Sequence, residues 1–168
     1  MKKSILTTIV LTLFALATKA QTTSQAHIVK VVAASVLEVK MTSVADVVFD
    51  FLTTANYDDG ITKTAATELK VKSTKPWTIK VQGSANNFNK LTSGNPNDIP
   101  ITALTIAPSG PTPIFLAINS TTGTTIKEGI KGGNGASGNT FTLDYKMNPG
   151  YVQQDTYDLS VTYTISQN

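Results

Sequence analysis

Tyr157-Asp158-Leu159-Ser160-Val161-Thr162-Tyr163-Thr164-Ile165 decides the fold class. Successive side chains of a β-strand point to opposite faces. In this stretch Tyr157, Leu159, Val161, Tyr163 and Ile165 share one face, and Asp158, Ser160, Thr162 and Thr164 share the other. That alternation belongs to a strand with one side on a core and one in water, as antiparallel sheets allow.

The same period recurs toward the N-terminus. Phe141 to Met147 alternates, with Phe141, Leu143 and Tyr145 inward. Trp77, Ile79 and Val81 oppose Thr78, Lys80 and Gln82. Phe49 and Phe51, with Val47, oppose Asp46 and Asp50 within a run from Val44 to Leu52. Further strands are expected over His27–Ala34, Val36–Met41, Thr67–Ser73, Ile99–Ile106 and Ile114–Ile118. Turn chemistry separates them: Asn56-Tyr57-Asp58-Asp59-Gly60, Asn95-Pro96-Asn97-Asp98, and the Pro108, Gly110, Pro111, Pro113 cluster. No stretch reads as an amphipathic helix. The alanines of Gln25 to Val36 suggest one, but its Val and Ile content favours strand. About seven to nine short strands at this spacing describe one all-β antiparallel sandwich. Its expected core is Phe49, Phe51, Trp77, Ile79, Val81, Phe141, Leu143, Tyr145, Leu159, Val161 and Tyr163.

The first 20 residues stand apart. Lys2 and Lys3 precede an apolar run from Ile5 to Ala17, and Thr18-Lys19-Ala20 supplies small residues before a cut at Ala20/Gln21. This is the layout of a cleaved signal peptide. Its apolar helix would rise only about 20 Å, short of the roughly 30 Å of a bilayer core, so no transmembrane anchor is expected after cleavage. The domains are then 1–20, signal peptide, and 21–168, a single β-sandwich. The expected location is secreted or cell-surface, with transit through the periplasm. The lack of cysteine suits that route and leaves the fold to packing alone.

Cleavage also changes the charge. Lys2, Lys3 and Lys19 leave, so 11 lysines face 11 acidic residues and the net charge falls from +3 to zero. There is no arginine, and the lysines are scattered, which argues against a nucleic-acid partner.

Catalysis has little to draw on. His27 is the only histidine, and there is no cysteine. Gly133-Asn134-Gly135-Ala136-Ser137-Gly138 fits G-x-G-x-x-G, but strand-like Thr140-Phe141-Thr142-Leu143 follows where a dinucleotide site needs a helix. A hairpin loop is expected there. Asn119-Ser120-Thr121 matches a glycosylation sequon. Asp46, Asp50, Asp58, Asp59 and Asp98 offer oxygen ligands without EF-hand spacing. No enzyme activity, metal or cofactor is expected. Trp77 reads as a core anchor.

The Ala20-Gln21 junction, the Tyr57-Asp58-Asp59-Gly60 turn, Pro76-Trp77-Thr78-Ile79 and the terminal Tyr157–Ile165 run together resemble small secreted β-sandwich proteins of the Bacteroidetes. Those are similar to spore-coat-U-like and archaic chaperone–usher pilin subunits, and more loosely to WxL surface domains. The resemblance implies an immunoglobulin-like sandwich and a surface or fimbrial role. The chain departs from it in having no disulfide, and Trp77-Thr78-Ile79 only approximates Trp-x-Leu. Two functional classes follow. One is a structural or adhesive subunit joined to itself or to other surface subunits by strand exchange, with a periplasmic chaperone as a further partner. Its exchanged segment would carry His27, Val29, Val31 and Ala33. The other is a monomeric surface module that binds carbohydrate or cell wall.

Overall fold

The computed structural model describes residues 28–42, 45–92 and 99–168. The Ala20/Gln21 junction, His27 and Asp98 lie outside the described residues. The chain divides into two units, Met1–Ala33 and Ala34–Asn168. In the first, residues 28–33 have no regular secondary structure.

The regular secondary structure of the second unit is almost wholly strand. In chain order these are β1 (Leu37–Met41), a short helix α1 (Thr54–Asp59), β2 (Ile61–Ser73), β3 (Trp77–Gly83), β4 (Asn89–Lys90), a 3-10 turn (Ile101–Ala103), β5 (Leu104–Pro108), β6 (Leu116–Ala117), β7 (Thr124–Gly129), β8 (Thr140–Met147), β9 (Tyr157–Asp158) and β10 (Val161–Gln167). Every strand pair is antiparallel. One sheet runs β1-β2-β8-β5-β6, a second β10-β3-β7, and β4 pairs with β9. This unit is all-β and sandwich-like. A buried cluster draws on Leu69, Val71, Leu104, Ile106, Leu143, Tyr145 and Met147 of the first sheet and Trp77, Ile79, Val81 and Ile126 of the second.

The alternating runs map onto strands where a backbone partner exists. Trp77–Gly83 is β3 with the bounds its pattern suggests, flanked on both sides by β10 and β7. The terminal run is not one strand. Tyr157–Asp158 pairs with β4, and Val161–Gln167 pairs with β3. The chain changes partner at Leu159-Ser160 because β3 ends at Gly83. The Ser160 carbonyl still accepts from Ser84 N–H at 2.9 Å, while Leu91 N–H already bonds Thr156 beyond it.

Three expected strands are corrected. Residues 28–36 form no strand; their β-rich composition has no ladder to join. Residues 45–52 keep the alternation, with Val47, Phe49 and Phe51 half-buried and Val48, Asp50 and Leu52 exposed, but form no ladder either. Ile99–Ile106 is split by the 3-10 turn, and only Leu104 onward pairs with β8. The expected Asn56–Gly60 turn is a capped helix. Thr53 accepts from Asn56 N–H, Asn56 Oδ1 accepts from Thr53 N–H, and Gly60 closes the end at φ 74°. A Cβ at Gly60 would lie 2.7 Å from the Met147 carbonyl, so this glycine lets α1 abut the end of β8.

Candidate functional site

Trp77 anchors the core and is fully buried. Its indole N–H donates to the Ile130 carbonyl at 3.0 Å and to Asn139 Oδ1 at 3.2 Å. Phe141 stacks on it with centroids 6.2 Å apart. Gly129 lies against the ring so closely that a Cβ there would sit 2.1 Å from it. Asn139, also fully buried, donates to the carbonyls of Gly132 and Gly133. The glycine-rich stretch is therefore held from inside. It is not a hairpin loop: it carries the chain from β7 in one sheet to β8 in the other. Strand, not helix, follows it, so no helix N-terminus is available to a phosphate.

The sequon asparagine is likewise occupied. Asn119 Oδ1 accepts from the N–H groups of Thr121, Thr122 and Gly123, and its amide donates to Thr124. It shapes its loop rather than presenting an amide outward.

Two further polar groups lie deep. Tyr145 donates to Thr67 at 2.8 Å and shares a 2.5 Å hydrogen bond with Tyr163, tying β8 of one sheet to β10 of the other. Burial, with the neighbouring Tyr145, pushes the Tyr163 phenol well above the usual tyrosine range. Asp144 is buried and accepts from Ala65 N–H at 2.8 Å and from the Ser109 hydroxyl. Ala65 stands at φ 49° in the β2 irregularity between Lys63 and Thr67. The buried carboxylate thus fixes a bulge, a structural use of a charge the sequence presents as an outward-facing strand residue.

The other flank carries two sheet edges, β1 and β10. Among the described residues β10 pairs only with β3, and β1 only with β2. Of the inward β10 residues, Val161, Tyr163 and Ile165 are half-buried, although they pack against the core. On β1, Val39 is half-buried and Leu37 and Met41 are exposed. The two edges are joined at one end, where Gln167 donates to the Val36 carbonyl at 2.8 Å and accepts from Ser35 at 2.9 Å. In the segment expected to exchange, Val29 and Val31 are 74% and 84% exposed, Ile28 and Val32 likewise, and Ala33 is exposed.

The remaining expected core residues divide by burial. Ile79, Val81, Leu143 and Tyr145 are buried; Phe49, Phe51, Phe141 and Leu159 are half-buried and packed on the cluster. The acidic residues do not converge. Asp46 and Asp50 line an open cleft of about 310 Å³ with Lys63, while Asp58 and Asp59 sit on α1. Among the described residues no three His, Cys, Asp or Glu side chains are grouped to hold a metal, and no helix is long and apolar enough to cross a membrane.

A feature the sequence pattern does not show lies at one end of the five-stranded sheet. Tyr57 of α1 stacks on Tyr151 with centroids 5.2 Å apart and planes 16° from parallel, and Phe51 packs on Tyr57 at 5.3 Å. Tyr151 donates to Asp58 Oδ1 at 3.0 Å, and that bond raises its phenol pKa. No protein-family model matches the chain, and no curated protein matches it.

Proposed function

We propose that this is an exported, non-catalytic structural or adhesive subunit of a fimbria-like or surface assembly, an immunoglobulin-like sandwich that joins its neighbours by strand exchange. One observation carries the proposal. Among the described residues β10 is an edge strand whose inward residues Val161, Tyr163 and Ile165 are only half-buried, while Ile28, Val29, Val31 and Val32 stand exposed on a described segment, residues 28–36, that forms no strand. An edge presents unpaired N–H and C=O groups as a template for another chain. A strand laid beside β10 would satisfy them and cover what remains exposed of these residues, with alternate side chains setting register. The segment around His27–Ala34 of a neighbouring copy has the apolar content to do so. A periplasmic chaperone would shield the same edge in transit, and a signal peptide cut at Ala20/Gln21 would deliver the chain there.

Deletion of residues 21–34 tests the proposal. The truncated chain stays folded, loses higher oligomers on size exclusion, and binds a peptide of residues 21–34. A strictly monomeric mature chain, together with a truncation that unfolds the domain, removes strand exchange.

A further inference from the structure

Beyond assembly, we infer that the Tyr57–Tyr151 pair is a stacking platform for a neutral pyranose-containing glycan. The inference does not depend on strand exchange. A lone exposed aromatic needs no explanation. Tyr151 is 69% exposed yet held on two counts: its ring is stacked on Tyr57, and its hydroxyl is bonded to Asp58 at 3.0 Å. The base beneath is built as well. Phe51 packs on Tyr57, the capping box of Thr53 and Asn56 fixes α1, and Gly60 seats that helix on the end of β8, just before Tyr151's loop. Gly150, at φ 67°, turns the chain immediately before the ring.

The chemistry selects the ligand. A pyranose presents a face of C–H groups that packs on a flat ring, and hydroxyls around its rim that donate to carboxylates. Tyr151 offers the ring, and the exposed carboxylates of Asp58 and Asp59 stand on the adjacent helix. The same carboxylates, and the absence of arginine from the chain, disfavour phosphate-bearing bases. A cation would be held by ring faces closing from several sides. Here the two tyrosine rings are stacked 16° from parallel, which makes a platform and not a cage. A preordered ring also spares the ligand the cost of immobilising a side chain.

The test titrates the exported protein with cellohexaose, chitohexaose and mannohexaose, followed by calorimetry and tyrosine difference absorbance. At least one oligosaccharide binds saturably. Tyr151→Ala weakens that binding by about tenfold or more, as loss of an aromatic stacking surface does. Asp58→Asn weakens it less, and both variants keep the circular dichroism of the folded wild type. Absence of binding by all three at about 10 mM, near the weak end of measurable affinity, overturns the inference. So does unchanged affinity in Tyr151→Ala, or binding of putrescine in preference to every sugar.

Discussion

β3 and β10 are neighbours in one sheet with the same alternation, yet they lie in different surroundings. Tyr163 sits across from Val81, and Ile165 across from Ile79. On β3, Trp77, Ile79 and Val81 have no exposed surface; on β10 the facing residues keep part of theirs. The difference is the second neighbour. β3 has β10 on one side and β7 on the other, whereas β10 has β3 alone among the described residues. Period-two patterning reports which face a side chain takes. How deeply it is buried depends on what flanks the strand, which the strand's own residues do not encode.

The largest expected effect tests the closed side. Trp77→Ala costs about 3–5 kcal/mol, as aromatic truncations in cores do, measured by denaturant titration. A loss under about 1 kcal/mol would place the ring outside the core and erase the contrast with β10. The contrast sharpens with a matched pair of truncations on cross-strand partners. Ile79→Ala is expected to cost about 2–5 kcal/mol, and Ile165→Ala about 1 kcal/mol, because only part of its surface leaves water. Equal costs would show the β10 flank to be as closed as the β3 centre.

The smallest effect appears at high pH. Folding raises the Tyr163 pKa, chiefly through burial, so the neutral phenol's contribution is whole below the ordinary tyrosine value of about 10 and is lost as pH climbs through and above it. Unfolding midpoints taken from pH 8 to 11 should therefore fall. Tyr163→Phe should flatten part of that fall. Tyr151, also raised but by its bond to Asp58, shifts in the same direction, so the difference between the wild-type and Tyr163→Phe curves is the diagnostic quantity. Parallel curves would mean that Tyr163 is wet enough to ionise freely and that the flank is open through to the phenol.

Much of the architecture was legible because strands with two neighbours bury most of one face. β3 and β8 announce themselves through Trp77, Ile79, Val81 and through Leu143, Tyr145, Met147. β7 did not. Thr124-Thr125-Ile126-Lys127-Glu128-Gly129 has one large apolar residue, and it is a strand because β3 offers it a ladder. Residues 28–36 fail in the opposite sense, with strand composition and no ladder. Asn139 reads as a loop residue and is fully buried, because the Trp77 indole N–H needs an acceptor inside. The β10 edge was visible as a strand, but its openness required the sheet order. The Tyr57–Tyr151 platform had no sequence signal, since the two rings come from α1 and the loop after β8 and meet only in three dimensions.

The sheet registers have a consequence for how quickly this chain can fold. Ile61 pairs with Met147, and Trp77 with Gln167. Neither sheet can be completed from nearby residues: β2 waits for β8, and β3 waits for β10. Closing such long loops costs entropy before any contact repays it, and folds dominated by distant pairings typically take milliseconds to seconds rather than microseconds. During synthesis β2 is made long before β8, and β3 long before β10. Throughout that interval their edges are open to any other strand in reach.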